Sequence, residues 1–85
     1  MKNPSENYMP YPSEMELKMA FAASCIDSAA RAVGCATEEM FRRMDRVNLI
    51  DDYILRHYGV LHTESRQHVT EDVLNALKDY EEEAA

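Results

Sequence analysis

The chain is 85 residues long, 46% of them hydrophobic, with a formal net charge of −7. That length allows one domain able to bury only about 60% of its unfolded surface, so the core should be modest and self-association would help it. A pI near 4.8 opposes sequence-independent binding to phosphate backbones, whose affinity comes from counterions released by Lys and Arg. Nucleic acid is therefore not an expected partner.

No tripartite leader of charged, apolar and small residues opens the chain. The longest apolar run, Met19 to Cys25 with one serine, falls far short of the roughly 20 residues of a membrane helix. The protein reads as cytoplasmic, without membrane contact. Residues 1–12 place Pro4, Pro10 and Pro12 among Asn, Ser and Tyr with no period that would bury a face, and read as a flexible tail. Helical periodicity then runs through 13–80 as a single domain, and 81–85 read as a frayed acidic end, because Glu81 to Glu83 oppose the dipole at a helix C-terminus.

Ser13 with Glu16 three residues on predicts a capping box at the start of a first helix. Met15, Met19, Ala22, Cys25, Ile26, Ala29 and Val33 form its apolar stripe, Phe21 lies at the margin, and Gly34 ends it. Cys25 and Cys35 are ten residues apart, about 15 Å along a continuous helix and well beyond the roughly 7 Å a disulfide tolerates, so both are expected as free thiols. Cys25 reads as a small core residue, Cys35 as the more reactive of the two.

Thr37 is the expected cap of a second, short helix with Met40, Phe41, Met44 and Val47 on its apolar side. Arg42, Arg43 and Arg46 form a basic cluster that resembles a recognition surface in outline. Glu38 and Glu39 stand four residues before Arg42 and Arg43, however, the order that favours pairing along one helix, so a solvated, self-paired face is expected. Asp27 with Arg31 and Asp52 with Arg56 repeat the pattern. Asn48 would cap a third helix, separate from the second or a bent continuation of it, with Asp51 and Asp52 in its first turn and Ile50, Tyr53, Ile54 and Tyr58 facing inward.

The stretch from His57 to Val69 joins two helical patterns and holds all three histidines. Gly59 just beyond Arg56 and His57 predicts a helix C-terminus. Val60 and Leu61 are too apolar for a free loop and should pack inward, fixing the angle between the flanking helices. Thr63 is the expected cap of the last helix, with Ser65 as its competitor and Glu64 suited to the positive dipole end. His62 is placed to hydrogen-bond a carbonyl or stack on Tyr58, and an imidazole there could also carry a proton or act as a ligand. The last helix turns Val69, Val73, Leu74, Ala76, Leu77 and Tyr80 inward.

The run from Leu49 to Leu77 resembles a family of short bacterial proteins catalogued as domain of unknown function thirty-seven ninety-one. The likeness is carried by a Tyr-x-x-Leu-His-Thr block, here Tyr58, Leu61, His62 and Thr63, followed by a polar turn and an amphipathic helix. Phe21, Cys25 and Ile26 ahead of a glycine-ended helix extend it upstream, so that it covers about Leu17 to Tyr80. His68 departs from the family's usual aromatic or larger aliphatic residue, and Gly59 from a frequent acidic one. The resemblance implies a compact helical domain with no assigned activity. It also associates the chain with operons beside ADP-ribosyltransferase-like proteins, implying an antitoxin or accessory role.

Catalytic and metal constellations are sparse. His57, His62 and His68 are five and six residues apart, outside the two-to-four-residue spacing of zinc pairs and the single-turn spacing of helical histidine ligands, so no metal and no other cofactor is expected. Both glycines follow helices, which leaves none for a phosphate loop. The fold class expected is all-α, a compact bundle of about four helices with a short apolar link before the last. The function expected is a non-enzymatic protein-binding accessory module, antitoxin-like, with Tyr58, Leu61, His62 and Thr63 as interaction residues and a protein partner, an ADP-ribosyltransferase-like neighbour among the possibilities. The alternative is a self-associating homodimer. Behind these stand a small enzyme or ligand-binding protein using His62 with Tyr58 and Cys35, and a nucleic-acid binder through Arg42, Arg43 and Arg46.

Overall fold

The structure, a computed structural model, describes residues 13–85, so the tail expected over 1–12 lies outside the described residues. Among the described residues every regular element is helical: α1 (Glu14–Val33), α2 (Thr37–Arg46), a π-helical turn (Ile50–Leu55), α3 (Tyr58–Leu61) and α4 (Arg66–Ala84). The all-α bundle expected from periodicity is present. Three helices are long, and the two short segments replace the third helix and apolar link of the sequence reading.

The start of α1 follows its capping box. The Glu16 amide donates to Ser13 Oγ at 3.1 Å and the Ser13 amide to Glu16 Oε1 at 2.9 Å, which holds the exposed Glu16 carboxyl below the usual carboxylate range. The helix stops at Gly34, whose left-handed φ of 86° turns its N–H onto the Ala30 carbonyl. Between these ends α1 is the spine of the domain, with α2, the π turn and α4 packed along it.

Ala22, Cys25, Ile26, Ala29 and Ala30 form its buried side, and their small size lets Met40 and Met44 of α2 and Val69, Val73, Ala76 and Leu77 of α4 come close. Met15, Met19 and Val33, expected on the same stripe, are instead 62%, 52% and 50% exposed. A 20-residue helix is about 30 Å long, and its ends run past the side chains that cover its middle.

Tertiary contacts redirect two polar groups of α2. Ala36 stands at the cap position without a side-chain bond, and Thr37, expected there, donates its hydroxyl to Asp27 of α1 at 3.1 Å. Arg43 does not pair with Glu39. Its guanidinium donates twice to Glu81 of α4, at 3.0 and 2.9 Å, a forked pair that raises the Arg43 pKa and lowers that of Glu81. No carboxylate of the described residues forms an ion pair with Arg42 or Arg46, so the self-paired face is only partly realised, whereas Asp27–Arg31 and Asp52–Arg56 pair at 3.1 and 3.6 Å as their spacing predicts. α4 continues through Ala84, and Glu81 within the acidic end expected to fray is held by Arg43.

Asn48 is not a cap. Its φ of 59° makes it the one non-glycine residue among those described with a left-handed backbone, and Leu49 takes the position before the next turn with no side-chain bond. That turn is wider than an α-helix, and the burial pattern records it. Leu49 and Ile54, five residues apart, are both fully buried, while Ile50 and Tyr53 are only partly so. Five is the hydrogen-bond repeat of a π-helix, and reading the segment at the α period passes over Leu49.

Candidate functional site

The Tyr58–Thr63 block is held by its own backbone. Leu61 N–H donates to the His57 carbonyl at 2.9 Å, and His62 N–H to that of Tyr58 at 3.0 Å, forming the single turn of α3. Helix ends leave carbonyls without intrahelical partners, and here side chains fold back to help satisfy them. His62 Nδ1 lies 2.7 Å from the Tyr58 carbonyl, and Thr63 Oγ1 donates to the Val60 carbonyl at 2.7 Å. A carbonyl only accepts, so Nδ1 carries a proton, and Nε2 has no partner among the described residues.

His62 makes both contacts expected of it. Its ring stacks on Tyr58 with centroids 4.4 Å apart and planes 7° from parallel. Tyr58 in turn meets Phe21 of α1 edge to face at 5.4 Å, with the Lys18 ammonium 5.9 Å from the Tyr58 centroid and the Arg66 guanidinium 5.8 Å from that of Phe21. Arg66 also donates to Ser24 Oγ at 2.8 Å and approaches Cys25 Sγ. The result is a row of rings bordered by two cations, laid from α1 across α3.

The preceding segment repeats the device. His57 Nδ1 lies 2.9 Å from the Tyr53 carbonyl, and its ring sits 5.0 Å from the Tyr53 ring at 52°. Both histidines stand four residues after a tyrosine, a Tyr-x-x-x-His spacing legible in the sequence that the search for nucleophiles and metal pairs did not single out.

The four block residues divide by role. Leu61 is buried and anchors the turn, Tyr58 is half-buried, and His62 and Thr63 are exposed. Val60, expected to pack inward with Leu61, is 63% exposed. One turn of helix points neighbouring side chains about 100° apart, so only one of the two can enter the core. Gly59 is likewise not the left-handed stop its position predicts. It lies inside α3 without a positive φ, and the chain turns at Arg56 and His57 ahead of it. The cap of α4 is Ser65, whose Oγ accepts from the His68 amide at 3.2 Å, so the competitor prevails over Thr63.

Cys35 does not join this site. Its backbone N–H bonds the Ala30 carbonyl beyond the last turn of α1, while Tyr58 meets that helix at Phe21, roughly 20 Å away at 1.5 Å per residue. Cys25 and Cys35 are free thiols, and burial pushes the Cys25 thiol up despite the opposing pull of Arg66. On the other side of the link, Glu64, His68 and Asp72 place one ligand-type atom each within 4.8 Å of one another, an acid–His–acid group that a search for Cys and His pairs passes over. Burial raises the pKa of the nearby Tyr53 phenol, and the charges of Asp72 and Glu64 raise it further.

No helix among the described residues is long and apolar enough to cross a membrane. No curated protein and no solved structure matches this chain. The family model described as "Protein of unknown function (DUF3791)" matches residues 20–80, from the first half of α1 to the last inward residue of α4. That span takes in the spine, the block and the helix that follows it, and the chain belongs to the DUF3791 family.

Proposed function

We propose that this protein is a non-enzymatic accessory module that binds a partner protein through the surface around Tyr58, Val60, His62 and Thr63. The observation that carries this reading is the exposure of Val60 beside the Tyr58–His62 stack, on a turn anchored by buried Leu61. An aromatic pair with an open imidazole nitrogen, next to an exposed aliphatic side chain and bordered by Lys18 and Arg66, supplies the apolar and hydrogen-bonding character of an interface centre. Tyr58, His62 and Thr63 are already held by contacts within the turn, which lowers the ordering cost of binding. An antitoxin-like role toward an ADP-ribosyltransferase-like neighbour is the specific form of this reading, following the family likeness.

Self-association is the second reading, favoured by the exposure of Met15, Leu17, Met19, Val33 and Phe41, each at least 46% exposed. Affinity capture of the full chain from its own host's lysate, with mass spectrometry and light scattering of the eluate, separates the two. A stoichiometric partner retained by the native chain and lost with Val60→Glu and His62→Ala, while far-UV dichroism is unchanged, is the expected result. A pure homo-oligomer, or capture indifferent to both substitutions, overturns it.

A further inference from the structure

We infer that Glu64, His68 and Asp72 form a binding site for one divalent transition-metal ion of the zinc class. The three residues follow one another at four-residue intervals, Glu64 just ahead of the Ser65 cap and the other two in the first turns of α4. Each four-residue step on a helix advances about 40° beyond a full turn, so residues 68 and 72 share one face, and Glu64 joins it. One ligand-type atom from each already lies within 4.8 Å of the others. Donors bound to a single ion at about 2.0 to 2.2 Å sit roughly 3 to 4 Å apart, so small side-chain rotations close the site. The exposure of His68 leaves its ring free to make them.

A second, independent observation comes from Glu64. Its Oε1 is buried and receives no hydrogen bond, the one buried side-chain oxygen or nitrogen so placed among the described residues. A carboxylate oxygen removed from water without a donor is costly, and a cation is the group that would satisfy it. The basic side chain beside it is His68, a cation only when protonated. No Lys or Arg of the described residues pairs with Glu64 or Asp72, and the His68 Nε2 to Asp72 Oδ2 separation of 3.8 Å is too long for a hydrogen bond.

One imidazole nitrogen with two carboxylates is a donor set for zinc, cobalt, nickel or copper, whereas magnesium and calcium take oxygen alone. Two carboxylates also neutralise a divalent charge. Because Glu64 belongs to the link after α3 and its partners to α4, a bound ion ties the end of the Tyr58–Thr63 platform to the last helix. This inference stands apart from the protein-binding reading.

The test is calorimetric titration of zinc chloride into the reduced full chain, together with NMR of the histidine rings. One-to-one binding in the micromolar range is expected, with the His68 ring signals shifted and those of His57 and His62 in place. His68→Ala and Asp72→Asn should each weaken binding by more than the roughly 10- to 100-fold that loss of an outer-sphere partner costs. His62→Ala and Cys35→Ser should leave it unchanged. Absence of binding below millimolar zinc, or native affinity in His68→Ala, overturns the assignment.

Discussion

The two glycines should respond to the same substitution with opposite signs. Gly34 has a φ of 86°, and a methyl group built on it meets nothing within 4 Å, so Gly34→Ala introduces no clash and the cost is the left-handed backbone alone, roughly 1 to 2 kcal/mol. Gly59 also has open space around it but lies in the helical turn of α3 without a positive φ. There an alanine restricts the unfolded chain and suits the helix, a gain of about 0.4 to 1 kcal/mol. The two variants should therefore differ by about 1.5 to 3 kcal/mol in urea unfolding. In a domain of this size that is a separation on the order of 10 °C in melting temperature. Destabilisation of Gly59→Ala by as much as Gly34→Ala would refute the helical assignment of α3 and restore Gly59 as a left-handed stop.

Leu49→Ala, at a fully buried site, should cost about 2 to 5 kcal/mol by denaturant midpoint, while Ile50→Ala, half-buried beside it, costs clearly less; the reverse order would mean an ordinary α-helix in place of the π turn. Glu81→Gln should lose about 1 kcal/mol at neutral pH, since the pair with Arg43 is forked but about a third exposed at both ends. Arg43 holds the Glu81 carboxyl below its unfolded value, so the gap between native and Glu81→Gln chains is full above the ordinary carboxylate range and closes as pH falls through the folded value. A gap constant from neutral pH down to acid unfolding would argue against the pair. A maleimide or disulfide reagent should modify Cys35 well before Cys25, which is buried with its thiol pushed up, and equal rates would contradict that burial.

Much of the architecture follows from local rules, and its misses have physical causes. The capping box at Ser13, the stop at Gly34, the inward residues of α4 and the two contacts of His62 depend on neighbours within four residues, which spacing reveals. Arg43 and Thr37 are different. Each had a local role to fill, and each is drawn away by an acid from another helix, Glu81 and Asp27, that only the folded arrangement brings near. An α period does not reveal the burial of Leu49 in a wider turn, and adjacency in sequence does not separate exposed Val60 from buried Leu61. Of the candidate site, the Tyr58–His62 stack was legible, while the group at Glu64, His68 and Asp72 was not, because acids four residues from a lone histidine look like ordinary solvated charge.

The π turn has a consequence for how this chain tolerates change in length. A π turn amounts to one surplus residue accommodated within a helix, and deleting a residue between Ile50 and Leu55 would let the segment relax to α geometry. Everything after it would then keep its facing relative to the spine, with Leu61 still turned inward and the tyrosine–histidine stack still against Phe21, because the wide turn already absorbs the residue removed. A single-residue deletion here is thus absorbed locally, whereas one within the regular α2 would turn everything downstream by about 100° and move that surface away from the spine.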